Sequence, residues 1–507
     1  MNAVALTPVN HGRSFSLRAL LRGLVSESDS AQLPDLYIAG LSLDSRGCTQ
    51  GFAFLAVPGI HSHGISYATQ AIKNGASVVL WQPSSEVSEI DLPLAQCIAI
   101  HHLDEILGVL ADRFYGHPSQ HMKIAGITGT NGKSTTAYVL AATAQRCGIN
   151  TGYSGTVGYG RLHALRSSAH TTPDVVTLHR QLAEMYDEGA VAVAMEVSSH
   201  ALDQQRIAAV NIDTAVFTNL TRDHLDYHGN MQAYGEAKRQ LFHVPGLRHR
   251  VLNIDDPFGR ELYLSQSTAS VTTLYGSSDA GIDNARFLQA KNIELSDAGL
   301  CIEIAGSFGD ATLRSALLGR FNAENLLAAL AVLLGWDVPL KRAVEALAEV
   351  EAPPGRMELI KQGDKRVVVD YAHTPDALQK ALQVLKSHCR GRLICVFGCG
   401  GDRDVGKRPL MGAVAAAHAD DVVITNDNPR GENPEEIIKS IQSGMGECQG
   451  IVQPDRALAI AQAIQMAQPE DLVLVAGKGH ENYQIIGERV LPFSDREVVL
   501  TCLRGVA

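Results

Sequence analysis

GITGTNGKSTT, residues 126–136, sets Gly132, Lys133 and Ser134 in the order of a phosphate-binding loop. The common pattern places a leading glycine five residues before the second one, and here that position is Ile127. The surroundings still have the physics of an anion site. Residues 121–127 read as a short strand, 128–133 as a loop with two glycines, and 134–146 as a helix rich in Ala and Leu. Backbone N–H groups at such a helix start lack partners, and they attract an anion together with the positive end of the helix dipole. Lys133 can then reach terminal phosphates and the Ser134 hydroxyl can hold Mg²⁺. A plain glycine turn is the alternative, and Gly-Lys-Ser-Thr-Thr alone leaves the reaction open.

Outward from this loop, strand-like and helix-like segments alternate nearly throughout, which predicts α/β layers with largely parallel sheets. An amphipathic stretch at 101–113 closes an N-terminal segment, and Ala352-Pro353-Pro354-Gly355 cannot continue a helix and reads as a hinge. Beyond it, apolar strands end in polar loops four times: VVVDYAHTPD at 367–376, LICVFGCGGDRD at 393–404, DVVITNDNPR at 421–430 and DLVLVAGKGHE at 471–481. Ligands of open parallel sheets bind outside the carboxyl ends of the strands, so these loops are expected to line one crevice.

The 507 residues suffice for about three domains. Composition is ordinary for a globular protein, and a net charge of −11 offers no basic field for nucleic acid. The nine cysteines are scattered without a CxxC pair, which fits a reducing compartment; Cys395 and Cys399 beside an apolar run read as buried thiols. The first residues lack a basic start followed by an apolar stretch, and no apolar run is long enough to span a bilayer, so a cytoplasmic protein without membrane insertion is expected.

Two more segments carry candidate chemistry. VAVAMEVSSHALDQQR, 191–206, puts Glu196 at the end of an apolar strand, where a carboxylate could complete a Mg²⁺ site begun by Ser134. DTAVFTNL, 213–220, runs into TRDHLDYHG, 221–229, dense in Asp and His. Histidine is an unusual ligand for Mg²⁺, and alone His224 reads more readily as a hydrogen-bonding loop residue.

TGTNGKSTT, MEVSSHALDQQR, TNLTRDHLDYHG with AYGEAKRQLF, and LLGRFNAEN together resemble the Mur ligase family, ATP-dependent amino-acid-adding enzymes of peptidoglycan precursor synthesis. That family uses this loop with its glycine offset. LSLDSR at 41–46, FAFLAVPGIHSHG at 52–64, VFGCGGDRDVGKRPLM, DNPR and GKGHE resemble the third ligase of the pathway. The resemblance implies three α/β domains: a UDP-binding domain at 1–103, a central ATP-binding domain at 104–351 on a P-loop ATPase-like parallel sheet, and a Rossmann-like amino-acid-binding domain at 352–507. It implies addition of meso-diaminopimelate to the D-Glu of UDP-N-acetylmuramoyl-L-Ala-D-Glu through an acyl phosphate, with ATP and Mg²⁺, by a monomer.

Carried over residue by residue, the resemblance gives the ATP phosphates to Gly129, Thr130, Asn131, Gly132, Lys133, Ser134 and Thr135, adenine to Asn325, and a contact made on domain closure to Arg356 and Asp370. Ser134 and Glu196 would share one Mg²⁺, His224 would bind a second metal, and Lys238 matches a lysine that the family carbamylates; Lys133, Glu196, His224 and Lys238 would be the catalytic set. Leu43, Ser45, Ile60, His61 and Ser62 would take the uridine end, and His170, Thr171, Thr172, Ser198, Gln204 and Arg206 the muramoyl peptide. Arg403, Asp427, Asn428, Pro429, Arg430, Gly477 and Glu481 would surround diaminopimelate. Two positions depart from the family pattern: His170 stands for the common Asn, and His63 for the common Asp. A simple kinase or NTPase would need neither LDSR nor the third segment's loops. The folate-polyglutamate enzyme, which shares the ATP centre, should lack LDSR, DNPR and GKGHE.

Overall fold

The computed structural model describes residues 14–505 except 60, 61, 86, 88–96, 266–269, 279–284 and 449. Ile60 and His61, expected at the uridine end, lie outside the described residues. The chain forms two compact units: Met1–Thr128, Asn150–Ala215 and His224–Leu247 make the first, and Gly129–Ile149, Val216–Asp223 and Arg248–Ala507 the second.

In the first unit, Gly40–Ser42, Phe52–Ala56, Ala76–Trp81 and Cys97–Ala99 form a parallel sheet in that spatial order. Every residue of Phe52–Ala56 is buried, the composition expected of a strand covered on both faces. Helix Leu103–Phe114 supplies part of that cover because Leu103, Leu107, Leu110, Ala111 and Phe114 recur at helical spacing and enter one apolar cluster with Leu55 and Leu80. Burying each such leucine stabilises by about 1.5–3 kcal/mol. Also in this unit, Ala192–Glu196 lies between Lys123–Thr128 and Thr151–Gly155, parallel to both.

In the second unit, His249–Asn253, Val271–Gly276 and Arg286–Ser296 pair in parallel, and Gly299–Gly306 and Ala311–Ser315 continue the sheet antiparallel. Helix Phe321–Gly335 is apolar nearly all round and is buried from Asn325 to Leu334. A second sheet runs Glu358–Gln362, Lys365–Asp370, Leu472–Ala476, Leu393–Phe397, Asp421–Ile424 and Ile451–Val452, parallel except at its first strand. Successive side chains alternate between its faces. Val368, Cys395, Phe397, Ile424 and Leu474 enter one apolar cluster, while Val367, Val369, Ile394, Val396, Val423, Val473 and Val475 enter another. Burial pushes the Cys395 and Cys399 thiols up to about 12, so they are packing residues, as expected.

The first predicted strand is Lys123–Thr128, and the helix after it begins at Lys133. The one-residue shift of the helix start follows from Gly132, whose backbone φ of 85° makes it a left-handed cap.

Candidate functional site

Both glycines of the phosphate loop are required by geometry. A Cβ at Gly129 (φ 150°) would fall 1.8 Å from Thr218 Oγ1, and one at Gly132 would fall 2.4 Å from Asn325 Oδ1. The loop is tied to the segment after strand Thr214–Phe217. Thr130 N donates to Asn219 O at 2.8 Å, Asn131 N to Asn219 Oδ1 at 3.0 Å, and Thr218 Oγ1 to Asn131 O at 2.6 Å. Thr130 Oγ1 donates to Thr221 O at 3.1 Å and accepts from Thr221 N at 3.0 Å. Thr218, Asn219 and Thr221 therefore shape the loop, a role that sequence reading missed although TNLT was quoted as part of a motif. Lys133 Nζ donates to Gly129 O and Thr130 O, both at 2.8 Å, which holds its ammonium over the loop. Ser134 and Thr135 follow in the first helical turn, half-buried. Asn325 is buried; its Nδ2 donates to Asn322 Oδ1 at 2.8 Å and its Oδ1 accepts from Thr136 Oγ1 at 3.2 Å.

In the first unit the structure gathers Glu196 and most of the expected muramoyl-peptide residues into one polar network. Glu196 Oε1 accepts from Tyr153 OH and Thr156 N, each at 2.8 Å, and Thr156 Oγ1 meets Thr171 Oγ1 at 3.0 Å. Thr172 Oγ1 donates to Glu196 O at 2.8 Å and accepts from Ser198 N at 3.2 Å; Ser198 Oγ caps the next helix by accepting from Ala201 N. Arg206 Nη1 donates to Thr172 O at 2.8 Å, and its Nε and Nη2 donate to Gln204 Oε1. His170 is exposed, with its carbonyl accepting from Ser168 Oγ at 2.8 Å. Tyr153, Thr156 and Tyr227 join this network without having been singled out in the sequence.

His224 sits at the start of helix Leu225–His228 with a left-handed φ of 52°. Its ring centroid is 4.9 Å from that of His200, and His228 Nε2 meets Ser199 Oγ at 3.0 Å. Burial first, then the imidazoles of His224 and His228, hold His200 below the ordinary histidine range; burial likewise lowers His228, against the opposing charge of Asp203 and with help from Lys238 and His224. Lys238, on helix Met231–Arg239, is 1% exposed, and its Nζ lies 4.3 Å from the centroid of the Tyr234 ring.

At the expected uridine end, Ser45 Oγ donates to Gln70 Oε1 at 2.9 Å, Leu43 is half-buried, and Ser62 is exposed with its Oγ 3.4 Å from Tyr67 OH. The His63 departure has a physical account. Its Nδ1 accepts from Ile65 N at 3.1 Å, capping the turn Gly64–Tyr67 as a carboxylate would, while Nε2 donates to Gln82 O at 2.9 Å.

In the second unit, three of the four polar loops converge on a cradle and the fourth borders it. Gly401 N donates to Asn428 O at 2.9 Å, and Asn428 joins Glu481 through its Nδ2 at 3.1 Å and Lys478 through its Oδ1 at 3.0 Å. Lys478 is fully buried and paired with Glu481 at 3.0 Å, a cation that sequence reading quoted within GKGHE but did not assign. A Cβ at Gly477 would sit 2.7 Å from Asp427 Oδ2. Arg430, at a left-handed φ of 51° after Pro429, donates from Nη1 to Gly401 O at 2.7 Å. Arg403 is exposed on the 398–404 loop. The fourth loop touches the cradle's rim: the rings of Tyr371 and His480 lie 5.3 Å apart, and the Arg356 guanidinium covers Tyr371 at 4.9 Å. Asp370 accepts from Met357 N at 2.8 Å and Ala372 N at 2.9 Å, and burial raises its carboxyl above the usual range.

Three family models match the chain: "Mur ligase family, catalytic domain" over residues 37–115, "Mur ligase middle domain" over 127–333, and "Mur ligase, glutamate ligase domain" over 355–479. The UDP-N-acetylmuramoyl-L-alanyl-D-glutamate–2,6-diaminopimelate ligase of Alkalilimnicola ehrlichii is 46% identical over 96% of this chain and 98% of its own. The protein of that name from Pseudomonas aeruginosa is 47% identical over 91% and 94%. A solved structure of a ligase with that name aligns with a TM-score of 0.70 at 34% identity, covering 97% of this chain and 99% of the other.

Proposed function

The chain belongs to the Mur ligase family, and from that premise we infer that it is an ATP-dependent ligase adding 2,6-diaminopimelate to the D-Glu of UDP-N-acetylmuramoyl-L-Ala-D-Glu in peptidoglycan precursor synthesis. The meso isomer is the one we assign. The observation that carries the reading is the cradle at the carboxyl ends of neighbouring parallel strands, where Asn428, Lys478 and Glu481 interlock and Gly401 joins Asn428 to the Arg430 guanidinium. A phosphate loop alone fits any NTPase, whereas a site with a guanidinium fork, a buried ammonium and a carboxylate suits an amino acid that is charged at both ends.

The reaction follows from the bond to be made. A carboxylate has no adequate leaving group, so the D-Glu side-chain carboxylate attacks the γ-phosphorus of ATP, releasing ADP and leaving an acyl phosphate. The amine of diaminopimelate attacks the acyl carbon, loses a proton, and phosphate departs. Gly129 to Thr135 surround the phosphates, with the backbone N–H groups from Gly132 onward assigned as donors because those of Thr130 and Asn131 are on Asn219, and Lys133 exchanges the carbonyls of Gly129 and Thr130 for the phosphoryl oxygens on which charge develops. We assign adenine to Asn325, and the remaining ATP contacts to Arg356 and Asp370. Thr171, Thr172, Ser198, Gln204 and Arg206 orient the muramoyl peptide, with Leu43, Ser45 and Ser62 at the uridine.

The donor set suits Mg²⁺. Among the described residues no group of three or more His, Cys, Asp or Glu is arranged to hold a metal, and Mg²⁺ is normally bound by one or two carboxylates with water and substrate phosphates. The buried Glu196 carboxylate and the Ser134 hydroxyl would supply oxygens, with His224 and a carbamylated Lys238 at a second ion. When bound, the metal offsets negative charge on the phosphates and acyl oxygen. We also assign three domains, at 1–103, 104–351 and 352–507, and activity as a cytoplasmic monomer. Three matched segments in succession support a threefold division, the first of them running past residue 103 to 115. Among the described residues no helix is long and apolar enough to cross a membrane.

The test offers purified protein ATP, the UDP-muramoyl dipeptide and a panel of amino acids, and identifies the product by mass. A diaminopimelate adduct with stoichiometric ADP is expected; ATP hydrolysis without an adduct would overturn the reading.

A further inference from the structure

Helix Ser199–Asp203 ends in a Schellman turn. Gln205 N donates to Leu202 O at 3.2 Å and Arg206 N to Ala201 O at 2.8 Å, with Gln205 at φ 52° in the left-handed position that glycine usually takes. The turn sets the side chains of Gln204 and Arg206 together. Arg206 Nε and Nη2 donate to Gln204 Oε1 at 3.0 and 2.6 Å. At its other end, Gln204 Nε2 donates to Tyr227 OH at 3.0 Å, and the Tyr227 hydroxyl gives its own proton to Asp203 Oδ2 at 2.7 Å.

The polarity of this chain admits one orientation of the amide. Turned over, Gln204 would face the guanidinium with its NH₂, donor against donor, and would offer Tyr227 an oxygen although the phenolic proton is already committed to Asp203. We propose that Asp203 and Tyr227 are positioning residues, which fix the Gln204 amide and through it hold the Arg206 fork in the orientation that receives the muramoyl peptide. The proposal rests on the assignment of Gln204 and Arg206 to that peptide. In this arrangement Asp203 and Tyr227 act on the peptide through Gln204, so their effect belongs in binding of this one substrate.

The experiment is steady-state kinetics with UDP-N-acetylmuramoyl-L-Ala-D-Glu varied at saturating ATP and diaminopimelate. Tyr227→Phe should raise its KM about five-fold, as loss of one hydrogen bond allows, with kcat and the KM for ATP within about two-fold of wild type. Asp203→Asn keeps an acceptor oxygen and should stay near wild type, whereas Asp203→Leu should match Tyr227→Phe. In a double-mutant cycle, Tyr227→Phe should add nothing once Gln204→Ala is present. A wild-type KM in Tyr227→Phe, additive effects in the cycle, or an equal rise in the KM for ATP would overturn the proposal while leaving the peptide assignment intact. A wild-type KM in Arg206→Ala would instead overturn that assignment, and the proposal with it.

Discussion

The hydroxyl oxygen of Thr218 stands 1.8 Å from where a Cβ on Gly129 would be, while it donates to Asn131 O at 2.6 Å. A side chain at 129 therefore displaces the residue that ties down the loop. Gly129→Ala is predicted to lower kcat/KM for ATP by about 100-fold, the scale of a displacement of about 1 Å in a positioning element. Steady-state kinetics with ATP varied would check it; a value within about three-fold of wild type would show that the loop tolerates the shift.

Lys133 is the second prediction. Its ammonium caps two backbone carbonyls on the half-buried loop rather than filling a core, so Lys133→Ala should leave the melting temperature within a few degrees of wild type. Turnover should fall by about 1000-fold, because a cation aimed at developing oxyanion charge is lost. Near-normal turnover would remove Lys133 from phosphoryl transfer.

A third prediction concerns stability. Arg456 and Asp495 form a fully buried bidentate pair at 2.7 and 2.8 Å, and Arg456 also donates to Asn426 O and Ala476 O at the roots of two cradle loops. Asp495→Ala strands a buried guanidinium and should cost about 3–5 kcal/mol in urea melts. The double variant Arg456→Met, Asp495→Leu should be more stable than the single one. If the single variant lost less than about 1 kcal/mol, water would have to reach Arg456.

What the sequence made legible was local. The strand, glycine loop and Lys-Ser helix start could be read at 126–136 because each depends on neighbours along the chain, and the four loops of the last sheet could be read because each follows an apolar strand. What it concealed depends on residues distant in sequence. Gly132 is required because Asn325 packs on it, and Lys478 is a buried member of the cradle because Asn428 and Glu481 close around it. Neither approach has a sequence period. The role of Tyr227 is hidden for the same reason: a tyrosine between Asp226 and His228 looks like part of a metal-binding loop until its hydroxyl is found on Asp203.

Lys238 yields the fourth prediction. Lys238 is 1% exposed, with its Nζ 4.3 Å from the centroid of the Tyr234 ring, and a carbamate there would offer oxygens suited to a hard cation where an ammonium would repel it. The enzyme supplied with carbon-13 bicarbonate should show a protein-bound carbamate carbon by NMR, absent in Lys238→Arg. Lys238→Ala should lose ligation unless a small carboxylate is added. Full activity of Lys238→Ala without one would rule out the carbamate.

The last prediction is the choice of amino acid. Diaminopimelate and L-lysine differ by the distal carboxylate, and Arg430 presents a fork whose Nη1 is fixed on Gly401 O at 2.7 Å by the turn after Pro429. Lysine would leave this guanidinium desolvated without its anion, at a cost of several kcal/mol, so kcat/KM for lysine should be lower by about 100-fold or more. Arg430→Lys should not restore discrimination, since an ammonium lacks the planar fork. Arg430→Gly separates chemistry from strain: at φ 51° glycine is the more comfortable residue, so a loss of discrimination in this variant comes from the missing fork and not from a distorted turn. Competition assays with both amino acids would decide it, and equal use of lysine by the wild type, or unchanged preference in Arg430→Gly, would remove Arg430 from the recognition of the distal carboxylate.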